Sequence, residues 1–168
     1  MNFINTEKTV KILIEKKLME RACELSVISV QQGCGPFGCV ITDANYNILA
    51  EGHNRVAELN DPTAHAEIVT IRRACQVINN YDLSSCKLFS SCEPCPMCLS
   101  AIYWSRIVDV HYSNTRVDAK NIGFDDEFIY EELTKDIEKR KVQLKKIDSS
   151  SALDSFNIWS NTENKLMY

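Results

Sequence analysis

Pro62-Thr63-Ala64-His65-Ala66-Glu67, followed about thirty residues later by Pro94-Cys95-Pro96-Met97-Cys98, is the stretch on which the reading of this chain turns. Its two halves supply three soft donors for a metal, His65, Cys95 and Cys98, and one carboxylate, Glu67, badly placed to be a fourth. Zinc held by three protein ligands keeps one tetrahedral position open for water, which is the arrangement of a catalytic site rather than a structural one. A carboxylate beside that water can move its proton. The gap between the halves accommodates a helix, a connection and a strand.

His65 and Glu67 are two residues apart. In mid-helix they would point about 200° away from each other. They converge only if the metal sits at a helix end. Asp61 as N-cap and Pro62 as first helical residue predict that end, with the helix running to about Ile78. Cys95 and Cys98 are three apart, on one face and in the first turn of a second helix opened by Pro94 or Pro96. Both N-termini would then aim at the metal, and their partial positive charge favours thiolate over thiol. The two positive charges of zinc are cancelled by two thiolates, so metal and helix ends together must bring the pKa of water toward neutrality.

Outward from the motif, residues 17–32 read as a helix broken by Gly33-Cys34-Gly35-Pro36. Phe37–Thr42 and Ile48–Glu51 read as a hairpin around Asp43–Asn47. Lys87–Ser91 and Ile107–Tyr112 are further strands, and the alternation of Val142 and Leu144 within Lys141–Ile147 predicts a fifth. Leu153, Phe156 and Trp159, spaced by three, predict a last helix from about Ser151. Residues 1–15 form an amphipathic or extended prefix with no assigned role. The predicted fold is a three-layer α/β/α sandwich with a mixed five-stranded sheet, and no glycine-rich phosphate fingerprint follows a strand.

The 168 residues suit one domain. A net charge of −4 weighs against a polyanionic substrate, so no nucleic acid is expected. No apolar run reaches the length of a membrane span, and no leader with a cleavage site opens the chain. The eight cysteines therefore read as thiols of a reducing, cytoplasmic compartment, six of them small buried hydrophobes. His53 and His111 read as structural or surface histidines.

His65-Ala66-Glu67 with Pro94-Cys95-Pro96-Met97-Cys98 resembles the H-x-E and P-C-x-x-C signature of the zinc nucleobase deaminases. The likeness extends over Gly35–Gly38, Gly52-His53-Asn54, Ser91-Cys92-Glu93, Ala101–Trp104 and Gly123-Phe124-Asp125-Asp126-x-Phe128-Ile129-Tyr130. With these segments the chain resembles the small guanine deaminases of the cytidine deaminase fold over most of residues 17–168. That resemblance implies one Zn²⁺ per subunit on His65, Cys95 and Cys98, with Glu67 as proton shuttle. It implies that Asn54 binds the purine edge, that the backbone N–H of Ala66 bonds the ring, and that Phe37 and Trp104 wall the pocket. Asp126 and Tyr168 would recognise the amino-group side of guanine. It also implies a homodimer in which a C-terminal segment, about 151–168, crosses to the neighbouring subunit. The expected reaction is guanine plus water to xanthine plus ammonia.

Other assignments share parts of this pattern. Deamination of guanosine or cytosine uses the same metal site with different pocket residues. A tRNA adenosine deaminase would need a basic surface, for which the interleaved charges of Lys135–Lys146 are the one candidate. A structural zinc or iron–sulfur module built on Cys86, Cys92, Cys95 and Cys98 leaves His65-Ala66-Glu67 unexplained.

Overall fold

The structure, a computed structural model, describes residues 3–167, with side chains placed from residue 7 onward. The residues up to Glu127 form one compact unit and those from Phe128 a second.

The first unit opens with α1 (Phe3–Gln31), which takes most of the sequence prefix into the same helix as residues 17–31. No glycine or proline interrupts it. It ends at Gly33, whose φ of 77° suits the left-handed cap. There Cys34 N–H donates to Ser29 O at 2.9 Å and Gly33 N–H to Val30 O at 2.9 Å, the paired bonds of a Schellman motif.

The hairpin β1 (Gly38–Thr42) and β2 (Ile48–His53) follows. Its turn is held by Asp43 Oδ1, which accepts from the N–H groups of Asn45 and Asn47 at 2.8 and 2.9 Å. After the single turn α2 (Val56–Leu59) come α3 (Ala66–Ile78), β3 (Lys87–Cys92), α4 (Pro96–Trp104), β4 (Asp109–Asn114) and α5 (Arg116–Asn121). The sheet order is β2-β1-β3-β4, with β1 antiparallel to both neighbours and β3 parallel to β4.

Alternation along the central strand sorts the core into two layers. Val40 of β1 and Phe89 of β3 pack with Leu18, Ala22 and Leu25, which recur at helical spacing on α1. Cys39 and Ile41 face the other way, into a cluster with Ala66, Ile71 and Ala74 of α3 and Ile102 of α4. Helices thus cover both faces of a mixed sheet, as the sequence predicts, and α3 and α4 share the face that carries the motif.

Two expectations are corrected. The sheet has four strands, not five: residues 141–147 pair with no strand among the described residues, and Val142, Leu144 and Ile147 are 70%, 60% and 87% exposed. Alternation alone does not make a strand when neither face is buried and no ladder satisfies the backbone. The motif helix also starts at Ala66, not at Pro62. Asp61 spends its Oδ1 on Thr63, accepting from its N–H at 2.8 Å and its hydroxyl at 2.7 Å, so it builds a turn before the helix instead of capping it.

The second unit continues α6 (Glu127–Thr134), which begins one residue before it, and contains a 3₁₀ turn at Ile137–Lys139 and α7 (Asp154–Asn161). The predicted last helix is α7. No described helix is long and apolar enough to cross a membrane.

Candidate metal and substrate site

His65 and Cys95 occupy equivalent positions. Each is the N-cap of its helix, His65 of α3 with φ −66° and ψ 156°, Cys95 of α4 with φ −64° and ψ 168°. An extended N-cap turns its side chain off the helical wheel. His65 and Glu67 therefore both reach one site although they are two residues apart. Pro96 begins α4 at the position where its missing N–H costs nothing. Cys98, in the first turn, is fully buried.

The donor atoms of His65, Cys95 and Cys98 all lie within 4.8 Å of one another. His65 Nδ1 is 3.5 Å from Cys95 Sγ and 3.5 Å from Cys98 Sγ. Ordinary Zn–N and Zn–S bond lengths at the tetrahedral angle require an N···S edge of ~3.6 Å. One imidazole and two thiols at that separation fit zinc, with one corner for water and no fourth donor in the cluster among the described residues. Cys86 and Cys92 stand outside it. Cys92 Sγ lies 3.6 Å from Thr115 O, so the four-cysteine alternative has no geometry here.

Thiol electrostatics follow from this crowding. The hydrogen bond from Cys98 pulls the Cys95 thiol down to about 4 against its burial, with His65 pulling the same way. Cys98 is pushed far up, first by that same bond and then by burial. Of the two thiols, Cys95 is the one whose thiolate form is favoured. That charge in turn raises the His65 imidazole, chiefly through their hydrogen bond.

Glu67 is 5% exposed. Burial pushes its carboxyl above the usual range, opposed by its own backbone N–H and by bonds from Cys98 and Ser90. Ser90 Oγ donates to Oε1 at 3.0 Å, and Cys98 Sγ lies 3.3 Å from Oε2. A carboxyl that is buried, hydrogen-bonded and beside a metal corner is equipped to take and return protons.

The site opens into a cavity of about 530 Å³, within the range of small-molecule pockets. Phe37, Asn54, His65, Glu67, Cys95 and Asp126, all sequence candidates, line it. Asn54 is buried, and its Oδ1 accepts from Val56 N–H at 3.1 Å, which leaves its Nδ2 hydrogens to serve a ligand. Asp126 is raised first by burial and then by the Cys95 charge. Ala66, fully buried, is the first residue of α3, where a backbone N–H has no intrahelical partner. Trp104 ends α4, 68% exposed and outside the cavity lining. Tyr168 lies outside the described residues. His53 and His111 also stand apart: His53 Nδ1 is 3.0 Å from Asn54 O, and the His111 ring stacks on Phe89 at 4.6 Å.

Two site residues escape the sequence reading. Phe124 meets Phe37 edge-to-face, centroids 5.0 Å apart, and together they wall the cavity. Ser90 holds Glu67. Phe124 stands inside a segment that carries the resemblance, next to Asp126. For Ser90 the available signal was a hydroxyl in the otherwise apolar run Leu88-Phe89.

The cytidine and deoxycytidylate deaminase zinc-binding region matches residues 14–114. Guanine deaminase of Bacillus subtilis is 46% identical over 151 residues, covering 89% of this chain and 96% of that protein. Its crystal structure superposes with a TM-score of 0.87 over 91% of this chain and 98% of that one. A tRNA-specific adenosine deaminase of Haemophilus influenzae is 42% identical over 93 residues, 55% of this chain and 54% of that protein. The likeness to the tRNA enzyme stops at about half the chain, while the B. subtilis likeness runs nearly end to end. Donor geometry, fold and similarity agree that this chain belongs to the zinc-binding cytidine and deoxycytidylate deaminase family.

Proposed function

We propose that this chain is a zinc-dependent guanine deaminase, converting guanine and water to xanthine and ammonia. The observation that carries the reading is a zinc-fitting His-Cys-Cys cluster beside a buried glutamate in a cavity of small-molecule size, in a chain 46% identical to a guanine deaminase over nearly all of its length. When bound, zinc supplies the Lewis acidity that makes water a nucleophile near neutral pH.

The remaining work falls to the protein's own residues. The C2–N bond of guanine breaks and a C2–O bond forms. Both hydrogens of the attacking water pass through Glu67: one to ring N3, one to the departing nitrogen, which leaves as ammonia. Asn54 offers its amide hydrogens to acceptors on the purine edge, and the Ala66 N–H bonds the ring. Phe37 and Phe124 flank the base. Asp126 accepts from the exocyclic amine and guides it out. A base lacking these groups leaves buried polar atoms unpaired, which is the physical source of selectivity.

Xanthine release from guanine, with guanosine and cytosine assayed in parallel, tests the substrate. Turnover of guanosine or cytosine alone overturns it. Salt-sensitive binding of tRNA would instead favour the nucleic-acid enzyme.

The working enzyme is a homodimer in which a C-terminal segment, about 151–168, exchanges between chains and brings Tyr168 to the partner's base. The exposed apolar residues Leu153, Phe156 and Ile158, 63%, 69% and 69% accessible, support a segment that is buried on assembly. Mixing an inactive Glu67→Gln chain with an inactive Tyr168→Ala chain restores turnover if sites are shared, and restores none if each chain completes its own. The eight free cysteines favour a reducing, cytoplasmic setting.

A further inference from the structure

We propose that Ser90 is a positioning residue that dedicates one oxygen of Glu67 to proton transfer. Its role rests on the deaminase reading above. Ser90 sits on β3 opposite Cys39 of β1, with 1% of its surface exposed, behind Glu67 as seen from the cavity that Glu67 lines and Ser90 does not. A hydroxyl buried there is costly unless it finds a partner, and it donates to Glu67 Oε1 at 3.0 Å. The other oxygen, Oε2, lies 3.3 Å from Cys98 Sγ, on the side of the metal-ligand cluster.

The two oxygens of a carboxyl are chemically equivalent until something distinguishes them. A proton taken up on the oxygen away from the metal corner cannot reach the base and must migrate before turnover continues. The Ser90 hydroxyl removes that dead end. It can donate to a carboxylate oxygen and, more weakly, to the carbonyl oxygen of the protonated acid. The bond therefore survives both halves of the proton cycle, and the exchanging proton stays on Oε2. Ser90 touches neither base nor metal; it acts through Glu67.

The test compares Ser90→Ala and Ser90→Thr with the unaltered full-length, zinc-loaded protein. The readouts are kcat and KM for guanine, zinc per chain, melting temperature, and the solvent deuterium isotope effect on kcat. For Ser90→Ala the expected result is full zinc occupancy, KM within about 2-fold, kcat lower by about 10- to 100-fold, and a larger isotope effect as proton transfer becomes limiting. Ser90→Thr, which keeps the hydroxyl, recovers most of the kcat and the normal isotope effect. Unchanged kcat in Ser90→Ala overturns the assignment. So does a loss that tracks zinc content or melting temperature, or one with an unchanged isotope effect. If the unaltered protein releases no xanthine from guanine, the deaminase reading itself has failed, and that outcome is separate from any behaviour of Ser90.

Discussion

His65 and Cys95 stand at positions where helices ordinarily carry Ser, Thr, Asp or Asn, and neither makes a side-chain cap bond. A good cap stabilises a helix by roughly 1 kcal/mol. Both helices forgo it so that imidazole and thiol can turn toward the metal. The same choice settles how His65 and Glu67 share a site, because the extended N-cap breaks the helical wheel between them. The ligands were legible because their identity and spacing follow from coordination chemistry. Ser90 was not, since it meets Glu67 from 23 residues away across the core. Two outcomes belong to this scale. Glu67→Gln is expected to keep zinc by metal analysis and lose turnover by ~10²-fold or more. Cys98→Ala is expected to lose zinc as well as activity, because two donors do not make the site.

Arg21 of α1 forks onto Glu51 of β2, Nε to Oε1 at 2.8 Å and the terminal nitrogen to Oε2 at 2.9 Å, tying the long helix to the outer strand. The hydrogen bond from Arg21 holds the Glu51 carboxyl below its ordinary value of 4.5, against a smaller contribution from burial. A lowered folded value means that folding favours the ionised form. The contribution is therefore present above about pH 4.5 and fades as pH falls through the lowered value. Both side chains are partly solvated, so the pair contributes ~1 kcal/mol at most. Urea unfolding of Glu51→Gln should show that loss at pH 7 and a progressively smaller one as pH falls below about 4.5. Gly52 of β2 marks a close approach of α3: a Cβ there would stand 2.5 Å from Thr70 Oγ1 and 3.2 Å from Val69 Cγ1. Gly52→Ala is expected to cost about 1–3 kcal/mol by overpacking, read as a lower urea midpoint. The hairpin and both motif helices were legible from turn residues and periodicity. The fifth strand was misread because alternation at Val142 and Leu144 carries no information about an available edge.

At the scale of the molecule, the metal cluster joins α3 to α4 across 30 residues of chain, at the ends of two helices that share one face of the sheet. Zinc binds the folded arrangement and not a preformed site in the unfolded chain, so its binding energy adds to stability. Prolonged chelation is expected to lower the melting temperature by several degrees and abolish turnover, and stoichiometric zinc to restore both. An unchanged melting temperature after verified zinc removal would contradict that coupling. The chain's net charge of −4 gives the molecule as a whole no electrostatic pull on polyanions, in keeping with a neutral base as substrate.

The amino-acid sequence alone determined the donor set, the acid beside it and the α/β class, because each follows from residue identity and short-range spacing. Tertiary structure alone decided the start of α3 at Ala66, the number of strands, the aromatic wall of Phe37 and Phe124, and the hold of Ser90 on Glu67. Those features depend on which distant side chain or strand edge arrives to satisfy a buried group, and local periodicity does not encode that encounter.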